Sequence, residues 1–208
     1  MTGRLSDGYF ERVYADAADP WSLQSRWYEQ RKYALTTAML PHPRYRHAFE
    51  PGCSVGVLTE LLLQRCDRVT ATDVAVPALD ATRRRLVRAG VGERAHLLRR
   101  SLDEPWPADE FDLVVLSEVC YYLTPATLRA VVDREVPRLV TLGATVLVAH
   151  WRHPVADYPM TGDDVRDLFA STAGLHHLGG YRDADVVIDV FDTASAESVA
   201  SRTAVPGA

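Results

Sequence analysis

Short apolar runs alternate with amphipathic stretches from residue 45 to residue 150, and this alternation limits the possible folds more than any other feature. The pattern predicts strands at 45–50, 68–73, 95–100, 111–117 and 144–150, and helices at 57–65, 76–89 and 125–140. The runs DLVVL and TVLVA lack period-two alternation, which is typical of strands buried on both faces. A parallel sheet covered by helices on both sides is therefore predicted.

The C-terminal part of the chain follows a different pattern. Thr161 and Asp164 form a capping-box-like start for a helix to about residue 173, and two strands then flank a tight turn at Asp183-Ala184. A hairpin makes the end of the sheet antiparallel. The predicted fold class is α/β, a Rossmann-like, doubly wound and mostly parallel sheet of seven strands with a C-terminal antiparallel hairpin.

The chain length and the positions of helix-ending prolines predict one globular domain with two flanking segments. The chain has 208 residues, which suits one domain with a sizeable core. A helix from about residue 27 ends before Pro41 and Pro43, because proline cannot continue the hydrogen-bond ladder. We expect a helical N-terminal segment at 1–45, a main domain at 46–192 and a flexible tail at 193–208.

Charge and cysteine content exclude several classes of partner. A net charge of −5 and a pI of about 5.8 argue against a nucleic acid partner, since no domain-wide basic field exists. No apolar run reaches membrane-spanning length, and the first ten residues lack the apolar core of a secretory signal. Three cysteines without a CxxC pair disfavour disulfides and zinc, so no metal and a reducing cytoplasm are expected. The oligomeric state stays open.

The stretch FEPGCSVGVLTE, at residues 49–60, joins a strand to a helix through a glycine turn of the kind that usually binds a nucleotide. Ser54 occupies the place of the second glycine of the dinucleotide fingerprint, where the backbone approaches a pyrophosphate. Glu50 precedes the turn, and a carboxylate there would repel a phosphate but attract a cation. Asp73 ends the second strand, where an acidic side chain accepts hydrogen bonds from ribose hydroxyls.

The element order, E-x-G-x-S-x-G at 50–56 and LSEVCYYL at 116–123 together resemble class I S-adenosylmethionine-dependent methyltransferases. YFERVYADAADPW and HWRHPVADYPMTGDDV are more narrowly similar to the nodulation protein S type, and the resemblance covers about residues 8–192. That family N-methylates the free amine of a deacetylated chitooligosaccharide. The resemblance implies S-adenosylmethionine as cofactor and a small-molecule acceptor. The acceptor that it leads us to expect is the amine of an amino sugar or oligosaccharide.

The resemblance also assigns roles to residues around the cofactor. The glycine turn would pass beside the methionine moiety, Asp73 would hold the ribose diol and Val74 would pack on the adenine. Ser101 stands where the family usually has an acid for the adenine amine. The cofactor-binding residues implied in this way are Glu50, Gly52, Cys53, Ser54, Gly56, Asp73, Val74, Ser101, Leu102, Ser117 and Glu118.

A second group of residues is expected around the reacting atoms. An amine must lose a proton to attack, and His150, at the carboxyl end of the fifth strand, is the predicted proton acceptor. Glu118 would balance the sulfonium or orient the amine. The predicted substrate-binding residues are Tyr122, Trp151, Arg152, His153 and Tyr158. Tyr9, Tyr14 and Trp21 are predicted to form a lid that excludes water.

Three other functions remain open at the level of the sequence. An oxygen acceptor fits the same cofactor, because most motifs concern the cofactor. An NAD(P)-dependent oxidoreductase would use a similar sheet, although Ser54 and the terminal hairpin disfavour it. A binding or regulatory module with the same fold but no turnover is the third, since a fold alone does not establish function.

Overall fold

The computed structural model describes residues 4–208, and residues 1–3 of the predicted N-terminal segment lie outside that range. The strands are β1 (Tyr45–Pro51), β2 (Cys66–Asp73), β3 (Ala95–Arg99), β4 (Leu113–Ser117), β5 (Thr145–Trp151), β6 (His176–Arg182) and β7 (Val186–Asp192). The helices are α1 (Asp7–Asp16), α2 (Trp27–Ala38), α3 (Val57–Leu62), α4 (Val76–Arg88), α5 (Pro125–Leu142), α6 (Gly162–Ala170) and α7 (Val199–Arg202). Short 3-10 turns lie at Gly92–Arg94 and Cys120–Tyr122.

The seven strands form one sheet in the order β3-β2-β1-β4-β5-β7-β6. Strands β1 to β5 pair in parallel, whereas β7 is antiparallel to both β5 and β6. The predicted fold class, including the antiparallel C-terminal hairpin, is confirmed. The order reverses between β1 and β4, and in sheets of this kind ligands bind beyond the carboxyl ends of the strands at that point.

The helix starts that were expected from capping residues are present. Thr124 precedes α5, and its side chain accepts a hydrogen bond from the Thr127 amide, with Pro125 in the first turn. Thr161 and Asp164 form a complete capping box at α6, because each side chain bonds the other's backbone amide. Helix α6 ends at Ala170, three residues before the expected boundary, and α3 is also shorter than predicted.

Two buried apolar clusters hold the sheet between its helices. One joins β1 and β2 to helices α1 to α4 and includes Leu62 and Leu86, each at most 1% exposed. The other joins β4 and β5 to α5 and α6 and includes Val114 and Phe169. Strands β4, β5 and β7 are buried along nearly their whole length, which explains their continuous apolar sequence.

Both terminal segments make defined contacts with the sheet domain. Arg4 forms a β-bridge with Leu123, so the start of the described chain runs beside the loop after β4. Residues 193–208, predicted to be a flexible tail, contain the short helix α7, and Arg202 forms an ion pair of 2.6 Å with the buried Asp192. This buried ion pair was not foreseeable from a stretch of small and polar residues.

None of the helices over residues 4–208 combines the length and the apolar character needed to cross a bilayer. Over the same range, His, Cys, Asp and Glu side chains do not cluster in a way that would hold a metal ion.

Candidate active site

A cavity of about 350 Å³ opens at the carboxyl ends of β1, β2, β4 and β5, with α1 and α2 supplying the opposite wall. It lies at the point where the strand order reverses. The residues predicted from the sequence that line it are Tyr14, Trp21, Glu50, Gly52, Cys53, Ser54, Asp73, Val74, Ser101, Leu102, Ser117, Glu118, Tyr122, Trp151 and Tyr158.

The glycine turn after β1 has a tightly constrained backbone. Gly52, Ser54 and Gly56 have φ angles of 74°, 52° and 76°, in the left-handed region that favours glycine. A side-chain carbon on Gly52 would lie 2.8 Å from a methyl of Val119, so the turn approaches the loop after β4 closely. The hydroxyl of Tyr14 donates to Ser54 Oγ at 2.5 Å, tying α1 to the turn.

Two carboxyl groups lie at opposite sides of this turn. Glu50 is 2% exposed, and its Oε2 has no hydrogen-bond partner among the residues described. Burial raises the pKa of Glu50 to about 8. Asp73 is 7% exposed and accepts hydrogen bonds from the Ser54 and Ala75 amides, at 2.9 and 3.0 Å. Burial raises its pKa to about 6, against the opposing effect of these amides.

These two carboxyl groups indicate which kind of ligand the turn can bind. An unpartnered buried carboxyl at the turn suits a cationic group, which would favour its ionised form, and does not suit a phosphate. Asp73 at the end of β2 is placed to receive ribose hydroxyls. The residues present therefore fit an S-adenosyl nucleoside with its ammonium and sulfonium charges.

The loop after β3 forms the next part of the cavity wall. The Ser101 hydroxyl donates to Asp103, whose carboxylate also binds Arg4. Leu102 is 5% exposed and presents an apolar surface. Since the Ser101 hydroxyl is already engaged with Asp103, an adenine here would meet mainly Leu102 and the backbone.

A buried ion network forms the other end of the cavity, where α2 meets the residue that follows β4. Lys32 is 2% exposed, and its Nζ lies 2.8 Å from Glu118 Oε1 and 2.7 Å from Glu29 Oε2. Glu118 Oε2 accepts from the Tyr121 hydroxyl at 2.5 Å and from the Trp151 amide at 3.0 Å. Glu118 also has φ 57°, a strained value of the kind that clusters at functional sites.

The charges in this network affect one another. Burial opposes the charge of Lys32, but Glu118 and Glu29 outweigh it, so the pKa of Lys32 is raised. Burial would raise the pKa of Glu118, but Lys32 lowers it to below its ordinary value. For Glu29 burial prevails over Lys32, and its pKa is raised. The two carboxyl groups that share one ammonium are therefore shifted in opposite directions.

Aromatic rings surround the ion network. Tyr121 stacks on Tyr158 with ring centroids 5.0 Å apart, and Tyr122 meets Tyr158 edge-on at 4.8 Å. Tyr28 of α2 meets Trp151 edge-on at 5.1 Å. This end of the cavity is thus aromatic and contains two carboxyl groups and one ammonium, a surrounding that attracts cations.

The structure does not support His150 as the proton acceptor. Its ring is 0% exposed and does not line the cavity. Its Nε2 accepts a hydrogen bond from the Cys120 amide at 3.1 Å, and burial lowers its pKa to about 4. Because neighbouring side chains of a strand point to opposite faces, Trp151 reaches the cavity and His150 does not.

Four other predicted residues also lie outside the cavity lining. Arg152 pairs with Asp163 and His153 with Asp185. Gly56 is needed for close packing, since an added side-chain carbon would lie 2.7 Å from Thr82. Tyr9 packs on Phe10, which lines the cavity in its place.

Several cavity residues were missed by the sequence reasoning, namely Tyr28, Glu29, Lys32 and Tyr121. The first three belong to WYEQRKY at 27–33, which resembles an ordinary mixed helix surface. A usable signal was present: Glu29 and Lys32 are spaced i, i+3 on the same helix face as Tyr28 and Tyr33.

Comparison with known proteins places the chain in a family. Residues 9–155 match the family model described as Nodulation protein S (NodS). Nodulation protein S of Rhizobium tropici is 36% identical over 110 residues, which are 51% of this chain and 44% of that protein. The Sinorhizobium fredii protein is 32% identical over 134 residues, 62% of this chain and 60% of its own length. The matches thus span about half the length of these curated relatives.

Solved structures agree with the fold. A putative methyltransferase from Pseudomonas syringae is 33% identical, with a TM-score of 0.65, over 80% of this chain and 99% of that one. N-methyltransferase NodS from Bradyrhizobium japonicum WM9, in complex with S-adenosyl-L-homocysteine, is 22% identical with a TM-score of 0.75. It covers 89% of this chain and 96% of its own, and at that identity the likeness concerns the fold.

Proposed function

Because the chain belongs to the nodulation protein S (NodS) family, we propose that it transfers a methyl group from S-adenosylmethionine to a small-molecule amine. The acceptor we propose is the amine of an amino sugar or of a short oligosaccharide. A Bradyrhizobium relative with this fold is an N-methyltransferase solved with S-adenosylhomocysteine, which supports both the cofactor and a nitrogen acceptor.

One observation supports the cofactor most strongly: the buried Glu50, with an unpartnered oxygen, beside the glycine turn and facing Asp73 across it. When bound, S-adenosylmethionine supplies a methyl group on a positively charged sulfur. Glu50 and the turn would hold its methionine end, Asp73 the ribose, and Val74 and Leu102 the adenine. Because in-line displacement at the methyl carbon has a good leaving group in the sulfonium sulfur, the protein contributes mainly positioning and exclusion of water.

The acceptor would enter the aromatic end of the cavity. Glu118, Tyr121 and Trp151 lie on the sheet side of that end, and Tyr28 and Glu29 on the side of α2. Among the buried groups of this end, two carboxyl groups against one lysine leave an excess negative charge when both are ionised, whereas Arg26, which also lines the cavity, is exposed to solvent. That charge and the aromatic faces favour an alkyl ammonium over an anionic or phenolic acceptor.

The N-terminal residues 1–45 are proposed as a lid over a methyltransferase domain at 46–192. Tyr14 and Trp21 support this, since both line the cavity and their rings meet edge-on at 5.6 Å. The hydrogen bond from Tyr14 to Ser54 would then join the lid to the glycine turn.

An oxidoreductase using NAD(P) is the less favoured alternative. Ser54 replaces the glycine that approaches a pyrophosphate, and a carboxyl at Glu50 opposes a diphosphate. An oxygen acceptor for the same cofactor is also less favoured. A hydroxyl is neutral and gains less than an ammonium from the anionic, aromatic site that is present here.

Cofactor binding is tested by thermal unfolding with S-adenosylhomocysteine, S-adenosylmethionine and NADH. Stabilisation by the two sulfur nucleosides and none by NADH is expected, because a ligand that binds only the folded state raises the melting temperature. In Asp73→Asn the affinity for S-adenosylhomocysteine should fall about tenfold or more, since hydrogen bonds to a charged group are lost. Asp67→Asn is the matched control, as its exposed carboxylate lies at the other end of β2.

Turnover is tested with radiolabelled S-adenosylmethionine and a panel of amino sugars, deacetylated chitooligosaccharides and their hydroxyl analogues. Methyl transfer to at least one amine, and none to its hydroxyl analogue, is the expected result. Stabilisation by NADH alone would contradict the proposed cofactor, and firm cofactor binding without transfer to any amine would leave a binding module as the better description.

A further inference from the structure

The sequence suggests His150 as the group that takes a proton from the acceptor, and the structure buries that ring away from the cavity. An amine is mostly protonated near neutral pH and attacks only through a free lone pair. Some group at the acceptor end must therefore accept a proton, and the two carboxyl groups around Lys32 are the candidates.

Glu118 is poorly suited to this task, because its oxygens are already occupied. One oxygen accepts from Lys32, and the other accepts from the Tyr121 hydroxyl and the Trp151 amide. Three donors stabilise the ionised form, which makes the carboxylate a weak base. Its place in the network is that of a fixed negative charge.

Glu29 shares Lys32 with Glu118 but has neither the tyrosine hydroxyl nor the backbone amide that Glu118 binds. It lines the cavity, and its Oε2 makes no well-aligned hydrogen bond within residues 4–208, although Lys32 Nζ lies 2.7 Å away. The charged groups that act on it are Lys32 and Arg26 of the same segment, and Glu118, which contacts the same Lys32 ammonium. Next to it, the buried Tyr28 hydroxyl also has no partner in that range.

On the basis of the proposed function, we infer that Glu29 is the catalytic carboxylate that deprotonates the acceptor ammonium. Lys32 contacts both Glu29 and Glu118, and it allows the two carboxyl groups to have different roles. Paired carboxyl groups whose surroundings shift their proton affinities apart commonly divide the acid and base roles in this way. The side chain that takes the proton thus comes from α2, not from the ends of the strands.

The Glu29 carboxylate takes one proton from the acceptor R–NH3⁺, leaving R–NH2 with a free lone pair. That lone pair forms the new C–N bond while the C–S bond of the sulfonium breaks, and the bonding electrons remain on sulfur as a thioether. The product leaves as R–NH2⁺–CH3, and the proton on Glu29 passes to water.

The test compares Glu29→Gln, Glu29→Asp and Glu118→Gln with the native chain. Rates with glucosamine and a deacetylated chitooligosaccharide are measured from pH 6.5 to 10. At neutral pH, Glu29→Gln should lose about 100-fold in kcat/KM, the lower end expected for removal of a general base. The deficit should shrink as pH rises, since the amine then deprotonates in water, and Glu29→Asp should recover part of the rate.

Two readouts without turnover accompany the rates. Calorimetry should show unchanged affinity of Glu29→Gln for S-adenosylhomocysteine, and about tenfold weaker binding of glucosamine to the S-adenosylhomocysteine complex. Glu110→Gln is the matched control, because Glu110 is exposed in the loop between β3 and β4. Thermal unfolding checks that each variant is folded.

The outcomes separate the two proposals. A native rate and pH profile in Glu29→Gln would overturn the role of Glu29 and leave the methyltransferase function intact. A deficit that stays constant at every pH would also overturn it, because that is the signature of a structural effect. If the native chain binds no S-adenosylhomocysteine or methylates no amine in the panel, the proposed function fails, and the role of Glu29 fails with it.

Discussion

Lys32 lies 2.8 Å from Glu118 and is almost completely buried, so an ammonium group from the N-terminal helix α2 is paired with the residue that follows β4. The two residues are 86 positions apart in the chain. The pair fixes α2 against the carboxyl end of the sheet and keeps Glu118 ionised. Part of the candidate site therefore depends on the docking of α2.

Replacing Lys32 with methionine should destabilise the protein by about 3 kcal/mol, because it leaves Glu118 as a buried charge with less compensation. Urea unfolding measures the change. Arg31→Met is the matched control on the neighbouring residue of α2, whose solvent-screened ion pair with Asp183 should contribute far less. Equal stability of the native chain and Lys32→Met would show that the pair adds nothing to folding.

Glu50 should make cofactor binding release protons. Its pKa of about 8, raised by burial from the ordinary 4.5, keeps it mostly protonated at pH 7 in the free protein. The ammonium group of S-adenosylhomocysteine favours the ionised form, so binding of this compound should release up to one proton and should tighten from pH 6 to pH 8. Calorimetry in buffers of different ionisation enthalpy counts the protons.

Glu50→Gln should abolish this release and the associated pH dependence of affinity, while Glu110→Gln should keep both. The same shift affects folding: between about pH 4.5 and 8 the folded state holds the extra proton, so this contribution to stability falls as pH rises. Proton uptake, or no net exchange, in the native chain would show that Glu50 does not ionise on binding.

Gly52→Ala should be more destabilising than Gly90→Ala, although both glycines have φ angles near 70°. An added carbon at Gly52 meets Val119 at 2.8 Å, whereas at Gly90 nothing lies within 4 Å. Gly90→Ala therefore measures the left-handed strain alone, about 1 kcal/mol, and the excess at Gly52 measures the close approach to the loop after β4. Urea unfolding gives both values, and similar losses would mean that the turn can move away from Val119.

His150 should act on stability rather than on turnover. Burial lowers its pKa from 6.5 to about 4, so the unfolded chain binds the extra proton in that window and stability falls as pH drops through it. The slope is about 1.4 kcal/mol per pH unit, and His150→Gln should remove it. His96→Gln, an exposed histidine of β3, should leave it in place.

Urea unfolding at pH 7 and pH 5 measures the slope, and methyl-transfer rates are compared at pH 8. His150→Gln should keep a far larger share of its rate than Glu29→Gln. If His150→Gln folds normally and leaves the pH dependence of stability unchanged but has lost turnover, His150 would be a catalytic residue after all.

The sheet was predictable because its signals are local. Apolar runs such as 113–117 and 145–149 can be stable only when both faces are covered, and the Thr161 capping box depends on residues three apart. Helix α7 was missed, since its contacts depend on Arg202 reaching a buried carboxylate that no local pattern reveals.

The residues that we propose for the nucleoside end could be located in the sequence for the same reason. Glu50, Gly52 and Asp73 occupy fixed positions relative to strand ends, and strand ends determine the crevice. The acceptor end could be located only in part: Tyr122, Trp151 and Tyr158 line the cavity as expected, but the rest depends on which face of β5 borders the cavity and on where α2 docks. His150 and Trp151 are neighbours on β5 and face opposite sides, so only Trp151 reaches the cavity. Charged residues of α2 that resemble a solvated surface in the sequence are buried in the structure.

The wall of the cavity is divided between two stretches of the chain. The sheet contributes the turn and the acid that would receive the nucleoside, while α2 contributes Tyr28, Glu29 and Lys32 to the far end. Relatives that share the sheet can therefore vary one wall of the acceptor end by changes confined to α2. A chimera that exchanges α2 alone should shift toward the chemical preference of its donor and keep its own affinity for the nucleoside, because Tyr14 and the glycine turn stay in place.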